Sequence, residues 1–199
     1  MGQKNAVTKR YYSDKTRFAD LINGVYFQGQ EVIHPNELTE NSEIYAEPLE
    51  PDFHGRNRRY LERSRDIKMC HQTGVTIRIF AIENQHYIDY SMPFRNMQYD
   101  MLEYQRQLEE IKNRNEAEGV FATANEYLSK MKKTDRLHPV YTLCLYLGTE
   151  PWDGPRSLMD MMDFGDNADN LKAYFADYPL RLYCVNEERN FSMFHTEIR

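Results

Sequence analysis

The chain has 199 residues, of which 41% are hydrophobic and 13% aromatic, and this apolar content excludes a protein that is disordered throughout. Its formal net charge of −6 argues against a general nucleic-acid coat protein, but is compatible with an enzyme whose metal ligands are carboxylates. The sequence has no run of about 18 apolar residues, no apolar signal segment at its N-terminus and only three widely spaced cysteines, so we expect a cytoplasmic protein without a membrane partner.

The N-terminal half is predicted to form a helix followed by a β-hairpin. Apolar residues recur at helical spacing between Phe18 and Tyr26, after a capping Ser13 or Asp14, which predicts a helix over residues 13–27. The next segments are an extended piece at 31–35, a polar loop at 36–54, a strand or irregular strand at 59–70, a turn at 71–74 and a strand at 75–85. Two strands on either side of a turn indicate a hairpin.

The C-terminal half is predicted to alternate helices and strands. Ser91 is expected to cap a long helix over Met92–Asn113, whose buried stripe is predicted to be Met92, Phe94, Met97, Met101, Tyr104 and Leu108. The later segments are a helix at 119–132, a strand at 140–147, one or two short helices within 157–174, a strand at 180–185 and the opening of another helix at 191–199. This order predicts one α/β domain with a mixed sheet over residues 1–199. The sequence leaves open that the chain is shortened at its C-terminus.

Charge is unevenly distributed along the chain. Between Arg56 and Lys68, six basic residues stand against two acidic ones, whereas between Glu150 and Asp177 seven acidic residues stand against two basic ones. A basic segment in a chain that also has an acidic one indicates a side that faces phosphates. Solvated charge on a loop is the alternative.

The end of the predicted strand at 75–85 is unusually polar. Glu83 and Gln85 are two residues apart, so they project from the same face of a strand. If the hairpin forms, Asp66 returns beside Glu83, and two adjacent carboxylates are stable when they share a hard divalent cation. The spacing alone is a weak signal, and it favours a cluster of polar groups that hydrogen-bond one another over a metal site.

Asp66 followed by Ile82-Glu83-Asn84-Gln85 resembles the Asp…(Asp/Glu)-x-Lys signature of the PD-(D/E)XK nucleases. Glutamine at the third position resembles the variant in the recombination-promoting nuclease / putative transposase family, where a helix with Arg and Tyr four residues apart follows. Arg95 and Tyr99 match that helix. Further segments between Tyr12 and Arg199 that fit the family are Phe18–Gly24, Val32–Pro35, Leu137–Leu143 and Trp152–Pro155.

The resemblance implies a restriction-endonuclease-like mixed sheet flanked by helices, and cleavage of DNA phosphodiesters with Mg²⁺ or Mn²⁺, in recombination of mobile elements or genome defence. Asp66, Glu83 and the carbonyl of Asn84 would bind the metal, which lowers the pKa of a water and neutralises the scissile phosphate. Gln85 stands where the signature has lysine, and an amide orients a water but does not titrate. DNA is the implied partner, and a homodimer is left open.

Several further residues complete the site that the resemblance implies. Arg95 is expected to reach Glu83 or a phosphate, with a structural ion pair as the alternative. Tyr99, on the same helix face, either hydrogen-bonds this cluster or packs in the core. Asp20 is a candidate helper through a water on the metal, and so is Asp14, which is equally an N-cap. The residues expected to contact DNA phosphates are Arg56, Arg58, Arg59, Arg63 and Arg65.

Two rival hypotheses stand beside the nuclease. Because Gln85 replaces lysine, the chain is alternatively a weakly active or inactive family member that binds DNA or serves protein assembly. The other rival is a structural α/β protein whose strand-end polar groups bond one another.

The cysteines and histidines are assigned to no site. Cys70, Cys144 and Cys184 are expected to be small buried hydrophobes. The six histidines lack the spacing of metal ligands, and are expected to be surface or turn residues.

Overall fold

The computed structural model describes residues 2–40, 45–48, 60–63, 66–74, 76–166, 168–189 and 191–196. The helices are α1 (Gly2–Tyr12), α2 (Lys15–Phe27), α3 (Met92–Glu118), α4 (Ala124–Ser129) and α5 (Ala168–Lys172). The strands are β1 (Leu38–Glu40), β2 (Tyr45–Pro48), β3 (Tyr60–Arg63), β4 (Ile67–Thr73), β5 (Thr76–Gln85), β6 (Val140–Tyr146) and β7 (Leu182–Cys184). Within these ranges, no helix is both long enough and apolar enough to cross a membrane.

A mixed five-stranded sheet organises the molecule, with the strand order β1-β4-β5-β6-β7. β1, β4 and β5 pair antiparallel, whereas β5, β6 and β7 run parallel. The connection between the parallel strands β5 and β6 contains α3, because parallel neighbours need a crossover. β2 and β3 form a separate antiparallel pair. The predicted α/β class with a mixed sheet is therefore confirmed.

The β4–β5 hairpin is the predicted one, although its turn is tighter. The strands extend to Thr73 and Thr76, which pair with each other, so the turn predicted at 71–74 is confined to the residues around Gly74. Gly74 has a φ of +59°, a left-handed conformation that glycine adopts without steric cost. The run of β-branched and apolar residues in β5 places this strand at the centre of the sheet.

The main hydrophobic core lies between one face of the sheet and α2. Phe18, Leu21 and Ile22 of α2 are fully buried against Phe80 and Ile82 of β5 and their neighbours on β4 and β6. The predicted helix at 13–27 begins two residues later than expected, because Asp14 is the N-cap and accepts hydrogen bonds from the amides of Thr16 and Arg17.

α3 covers the other face of the sheet with polar as well as apolar side chains. The predicted buried stripe is wrong at Phe94 and Met101, which are 41% and 51% exposed, whereas Met92 is buried and the other members are half-buried. The buried residues of α3 instead include Asn96, Tyr99, Asp100, Glu103 and Gln107. Polar groups on the sheet receive them: Asp100 accepts from Thr142 Oγ1 at 2.6 Å and Glu103 accepts from Lys68 Nζ at 3.0 Å.

Several boundaries differ from the sequence prediction. α1 and β1 were not expected, α4 is shorter than the predicted helix at 119–132, and residues 157–174 contain α5 and one 3-10 turn. Residues 191–196 form turns rather than the opening of a helix, and Phe194 packs against Gly24 of α2. These segments are shaped by tertiary contacts that local sequence does not encode.

Candidate functional site

The hairpin brings Asp66 to the polar end of β5. Ile67, the first residue of β4, pairs with Ile82, so the residue before it arrives at the level of Glu83 and Asn84. The backbone N–H of Asn84 donates to Asp66 Oδ2 at 2.8 Å. The Asp66 carboxylate therefore lies against the backbone that joins Glu83 to Asn84, as the sequence predicted.

Glu83 and Gln85 point to the α3 side of the sheet. Glu83 pairs in register with Cys144 on β6, and Cys144 packs against Met92 of α3. Burial raises the pKa of the Cys144 thiol, and the neighbouring charge of Glu83 raises this pKa further. Glu83 is only 2% exposed and Gln85 only 4%, so both lie in a shielded environment where electrostatic interactions are strong.

Asn84 contributes its backbone to this cluster rather than its side chain. The N–H and C=O of a strand residue point to the same side, and the Asn84 N–H is directed at Asp66, so its carbonyl is too. The side chain lies on the opposite face from Glu83 and is 1% exposed. Among the described residues, neither of its amide atoms meets a hydrogen-bond partner, a rare condition that calls for a physical explanation.

Arg95 is fixed beside this cluster by Asp89. Its Nη1 donates to Asp89 Oδ2 at 2.5 Å, and its guanidinium also bonds the hydroxyl of Tyr99. Burial lowers the pKa of Arg95, but the bonds to Asp89 and Tyr99 outweigh burial and raise it, so Arg95 is a permanent cation. The positive charge of Arg95 lowers the pKa of the Cys144 thiol, whereas the negative charge of Glu83 raises it. Arg95 thus forms the structural ion pair that was one of its two alternatives, and its contact with Glu83 or a phosphate stays a prediction.

Asp89 is a residue that the sequence reasoning missed. It accepts hydrogen bonds from both the N–H and the Oγ of Ser91, and Arg95 follows one turn into the helix. Ser91, predicted as the N-cap of α3, makes no side-chain capping bond of its own. The available signal was the Asp-x-Ser sequence before a helix, because aspartate readily bonds the backbone two residues on.

Both carboxylate oxygens of Asp20, the predicted helper of a metal site, are hydrogen-bonded to the C-terminal segment. Its Oδ1 accepts from the N–H of His195 at 2.8 Å, and its Oδ2 accepts from the N–H and Oγ1 of Thr196 at 2.7 and 2.6 Å. Both oxygens thus hold the segment 191–196 against α2. This aspartate is an anchor for the C-terminal segment.

Most of the arginines that were predicted to contact DNA phosphates lie outside the described residues. Arg56, Arg58, Arg59 and Arg65 lie outside the described residues, and of Arg63 the structure describes the backbone, which belongs to β3. Lys68, the last basic residue of that run, does not face solvent. It is buried and paired with Glu103, which leaves it out of any phosphate-binding surface.

The donor set at Asp66 and Glu83 suits a hard cation. Two carboxylates and a backbone carbonyl are oxygen ligands, and Mg²⁺ typically takes one or two protein carboxylates while keeping several waters. Across the described parts of the chain, the Asp66–Glu83 region included, no group of three or more His, Cys, Asp or Glu side chains is arranged to hold a metal ion. The Asp66–Glu83 pair, with the Asn84 carbonyl, is the metal site that the motif predicts.

The cysteines behave as expected, but one histidine does not. Cys144 and Cys184 are buried and Cys70 is half-buried, all as free thiols. His71 was expected in a turn, yet it lies within β4, is 1% exposed and bonds Glu37 Oε2 through its Nε2 at 3.0 Å. That bond lowers the pKa of Glu37 and ties the segment before β1 to the sheet.

The comparisons with known proteins identify no family for this chain. No protein-family model matches it, and no curated protein and no solved structure shows a significant match. Its function must therefore be argued from the geometry of its own residues.

Proposed function

We propose that this protein is a metal-dependent nuclease that hydrolyses DNA phosphodiesters with Mg²⁺ or Mn²⁺, in the manner of the recombination-promoting nuclease family that its motif resembles. The observation that supports this most is the 2.8 Å hydrogen bond from the Asn84 N–H to Asp66 Oδ2. This bond holds the Asp66 carboxylate, which precedes β4, against Glu83 and Asn84 at the end of β5. Glu83 is the second carboxylate of the motif.

The chain's own groups suit this reaction. Asp66, Glu83 and the Asn84 carbonyl would hold the cation, which supplies a more acidic bound water and positive charge beside the phosphate. Arg95, held by Asp89 and Tyr99, provides a permanent positive charge on α3, the helix that Glu83 faces. Such a fixed charge stabilises negative charge that develops on a phosphate without reorganising during the reaction. Gln85 is placed on the same face as Glu83 and can orient a water through its amide.

We propose also that the arrangement is restriction-endonuclease-like. The antiparallel strands β1, β4 and β5 follow α2, and α3 then leads into the parallel strand β6. This order supports the proposed arrangement because it concentrates the motif at the ends of β4 and β5, with α3 supplying Arg95. A role in recombination or defence against mobile elements belongs to the same proposal.

Nicking of supercoiled plasmid tests the function. The wild-type protein should relax the plasmid with Mg²⁺ or Mn²⁺ and not with a chelator present. Asp66→Asn and Glu83→Gln should each lower the rate by at least about 100-fold, as loss of a key electrostatic group does. Glu109→Gln and Asp163→Asn, which change exposed carboxylates, are the matched controls and should cleave normally. Equal nicking by all five proteins would reject the proposal.

The second candidate is a catalytically weak or inactive family member that binds DNA or assembles with proteins. It is favoured by Gln85, because its amide is buried where the signature has a titratable lysine. DNA binding in a gel shift, without cleavage under either metal, would favour this module over the enzyme.

A further inference from the structure

A pocket lies at the carboxyl edge of the sheet, defined as the residues that follow the parallel strands β5, β6 and β7. Its walls include His86 after β5, Leu147 and Gly148 after β6, and Asn186 after β7. α1 covers it with Thr8 and Tyr11. In open α/β sheets, ligands bind in the crevice outside the carboxyl ends of the strands, so the location is that of a binding site.

The size and chemistry of the pocket suit a flat aromatic ligand. Its volume of about 490 Å³ lies within the ~300–1,000 Å³ that is usual for ligand pockets. Tyr11 contributes an aromatic ring, one face of which is covered by the guanidinium of Arg17 at 4.1 Å, and the lining residues include no carboxylate. Thr8 Oγ1 and His86 Nε2 are 3.4 Å apart, a long hydrogen bond that a ligand with its own donors and acceptors can replace.

The floor of the pocket depends on a glycine. A Cβ on Gly148 would lie 2.2 Å from the hydroxyl oxygen of Tyr146, and that hydroxyl is held by the carbonyl of Glu150 at 2.9 Å. A side chain at position 148 would therefore force Tyr146 out of place.

The pocket adjoins the candidate metal site. His86 directly follows Gln85, and the N–H of Leu147 donates to the carbonyl of Gln85 at 2.7 Å. Glu83 and Gln85 face α3, whereas Tyr11 and Leu147 pack with the α2 side of the sheet, so the two features lie on either side of one edge. A DNA strand with a phosphate at Asp66 and Glu83 would have to cross this edge to place a base in the pocket.

We propose that this pocket receives an unpaired nucleobase of the DNA strand being cleaved, an inference that rests on the proposed nuclease function. A base has a flat π-face that stacks on Tyr11, and edge donors and acceptors that match Thr8 and His86. A paired base in a duplex presents neither its face nor its full edge. The substrate class is therefore DNA with single-stranded or unpaired nucleotides next to the cleavage point.

Fluorescence of a single-stranded oligonucleotide that carries one 2-aminopurine tests the pocket, without added divalent metal so that the probe stays intact. Wild-type protein should quench it on binding. Tyr11→Ala, and Thr8→Trp, which fills the space, should each weaken quenched binding by about 5-fold or more, the usual scale for losing one base–aromatic stack. Tyr174→Ala and Thr16→Trp, at exposed positions, are the matched controls and should bind as wild type.

A measurement on the wild type alone keeps the inference testable if a variant fails to fold. The imidazole proton signals of His86, assigned by comparison with His86→Gln, should shift when the oligonucleotide is added. Unshifted His86 signals, or equal binding by the wild type and a folded Thr8→Trp variant, would overturn the pocket. Deoxynucleoside monophosphates that bind as tightly as the oligonucleotide would also overturn it, because the site would then serve free nucleotides.

The failure of this inference is distinguishable from that of the proposed function. Metal-dependent nicking by a wild type that does not quench the probe would reject the pocket and retain the nuclease. A wild type that quenches the probe and shifts His86 but cleaves nothing would retain the base-binding site on a protein without the activity.

Discussion

At the scale of single residues, the site depends on how Asp89 and Asp66 are hydrogen-bonded. Asp89 was not foreseen, yet it fixes the guanidinium of Arg95, a proposed residue of the site, through a 2.5 Å bond. Its own pKa is raised by burial, but bonds from Ser91 and Arg95 more than offset this, so the folded state lowers it overall. Asp89 is therefore a carboxylate at every pH at which the protein is expected to act.

The lowered pKa of Asp89 predicts a pH-dependent contribution to stability. A carboxylate with a depressed folded pKa stabilises the protein above its ordinary pKa of about 3.9, and this contribution disappears as pH falls through the folded value. Asp89→Asn should lower the free energy of unfolding by about 1–2 kcal/mol at pH 7, the scale of bonds to charged groups. In urea titrations, the difference from wild type should shrink below about pH 4. A difference in the free energy of unfolding that is independent of pH would show that the negative charge of Asp89 does not contribute to stability.

The buried Asn84 amide gives a second prediction at this scale. Since the backbone carbonyl is the proposed ligand, Asn84→Leu should retain nicking and its Mg²⁺ requirement. It should also leave stability unchanged or improved, because the amide atoms have no hydrogen-bond partner among the described residues. A Mg²⁺ requirement raised tenfold or more, measured by titrating metal in the nicking assay, would instead identify the side chain as a ligand.

At the scale of elements, α3 separates what sequence predicts from what it does not. Its existence and its beginning at Met92 follow from the proline in the first turn and the length of the periodic segment. Its orientation does not, because some apolar residues at helical spacing are exposed and about half of the buried residues are polar. Lys68 and Thr142 on the sheet are the partners of that polar face, and their positions depend on the fold.

The ion pair between Lys68 and Glu103 predicts how much α3 depends on these contacts. Their side chains are 2% and 0% exposed, so removing one partner leaves a charge in a shielded environment. Glu103→Leu should cost about 3–5 kcal/mol in the free energy of unfolding. Lys68→Met should cost less, because Arg106 still bonds Glu103 at 2.7 Å. The exposed Glu110→Leu serves as the control, and a similar loss there would contradict the importance of burial.

Unlike the orientation of α3, the strand β5 and its hairpin with β4 can be predicted from the sequence. β-branched and apolar residues fill β5, and Gly74 marks the turn. The helix α1 cannot be predicted from the sequence, because it has few apolar residues that would indicate a buried face. It is held instead by contacts with the sheet, including the approach of Thr8 to His86.

At the scale of the whole molecule, the last described residues are attached to the first helices. Asp20 accepts three hydrogen bonds from His195 and Thr196, and Phe194 packs against Gly24. No local pattern indicates this, because the partners are far apart in the sequence. The anchoring role of this carboxylate was therefore not predicted, and its role as a helper of the metal site stays a prediction.

Asp20 predicts a result that separates anchoring from catalysis. Asp20→Asn should make the segment 191–196 more sensitive to chymotrypsin, which cleaves after aromatic residues, because an amide has one acceptor oxygen in place of two. Metal-dependent nicking should persist at 25 °C. The exposed Asp163→Asn is the control for both assays. Unchanged proteolysis together with lost nicking would return Asp20 to the metal site.

The central claim is that Asp66 and Glu83 together hold one divalent cation at the carboxyl edge of the sheet. Calorimetric titration of the metal-free protein with Mn²⁺ tests this most directly, because it measures the ion without a substrate. We expect one bound ion per chain in the wild type and loss of that binding in both Asp66→Asn and Glu83→Gln. The control variant Glu109→Gln should bind the ion normally. Undiminished binding in either site variant, or a wild type that takes up no ion, would contradict it.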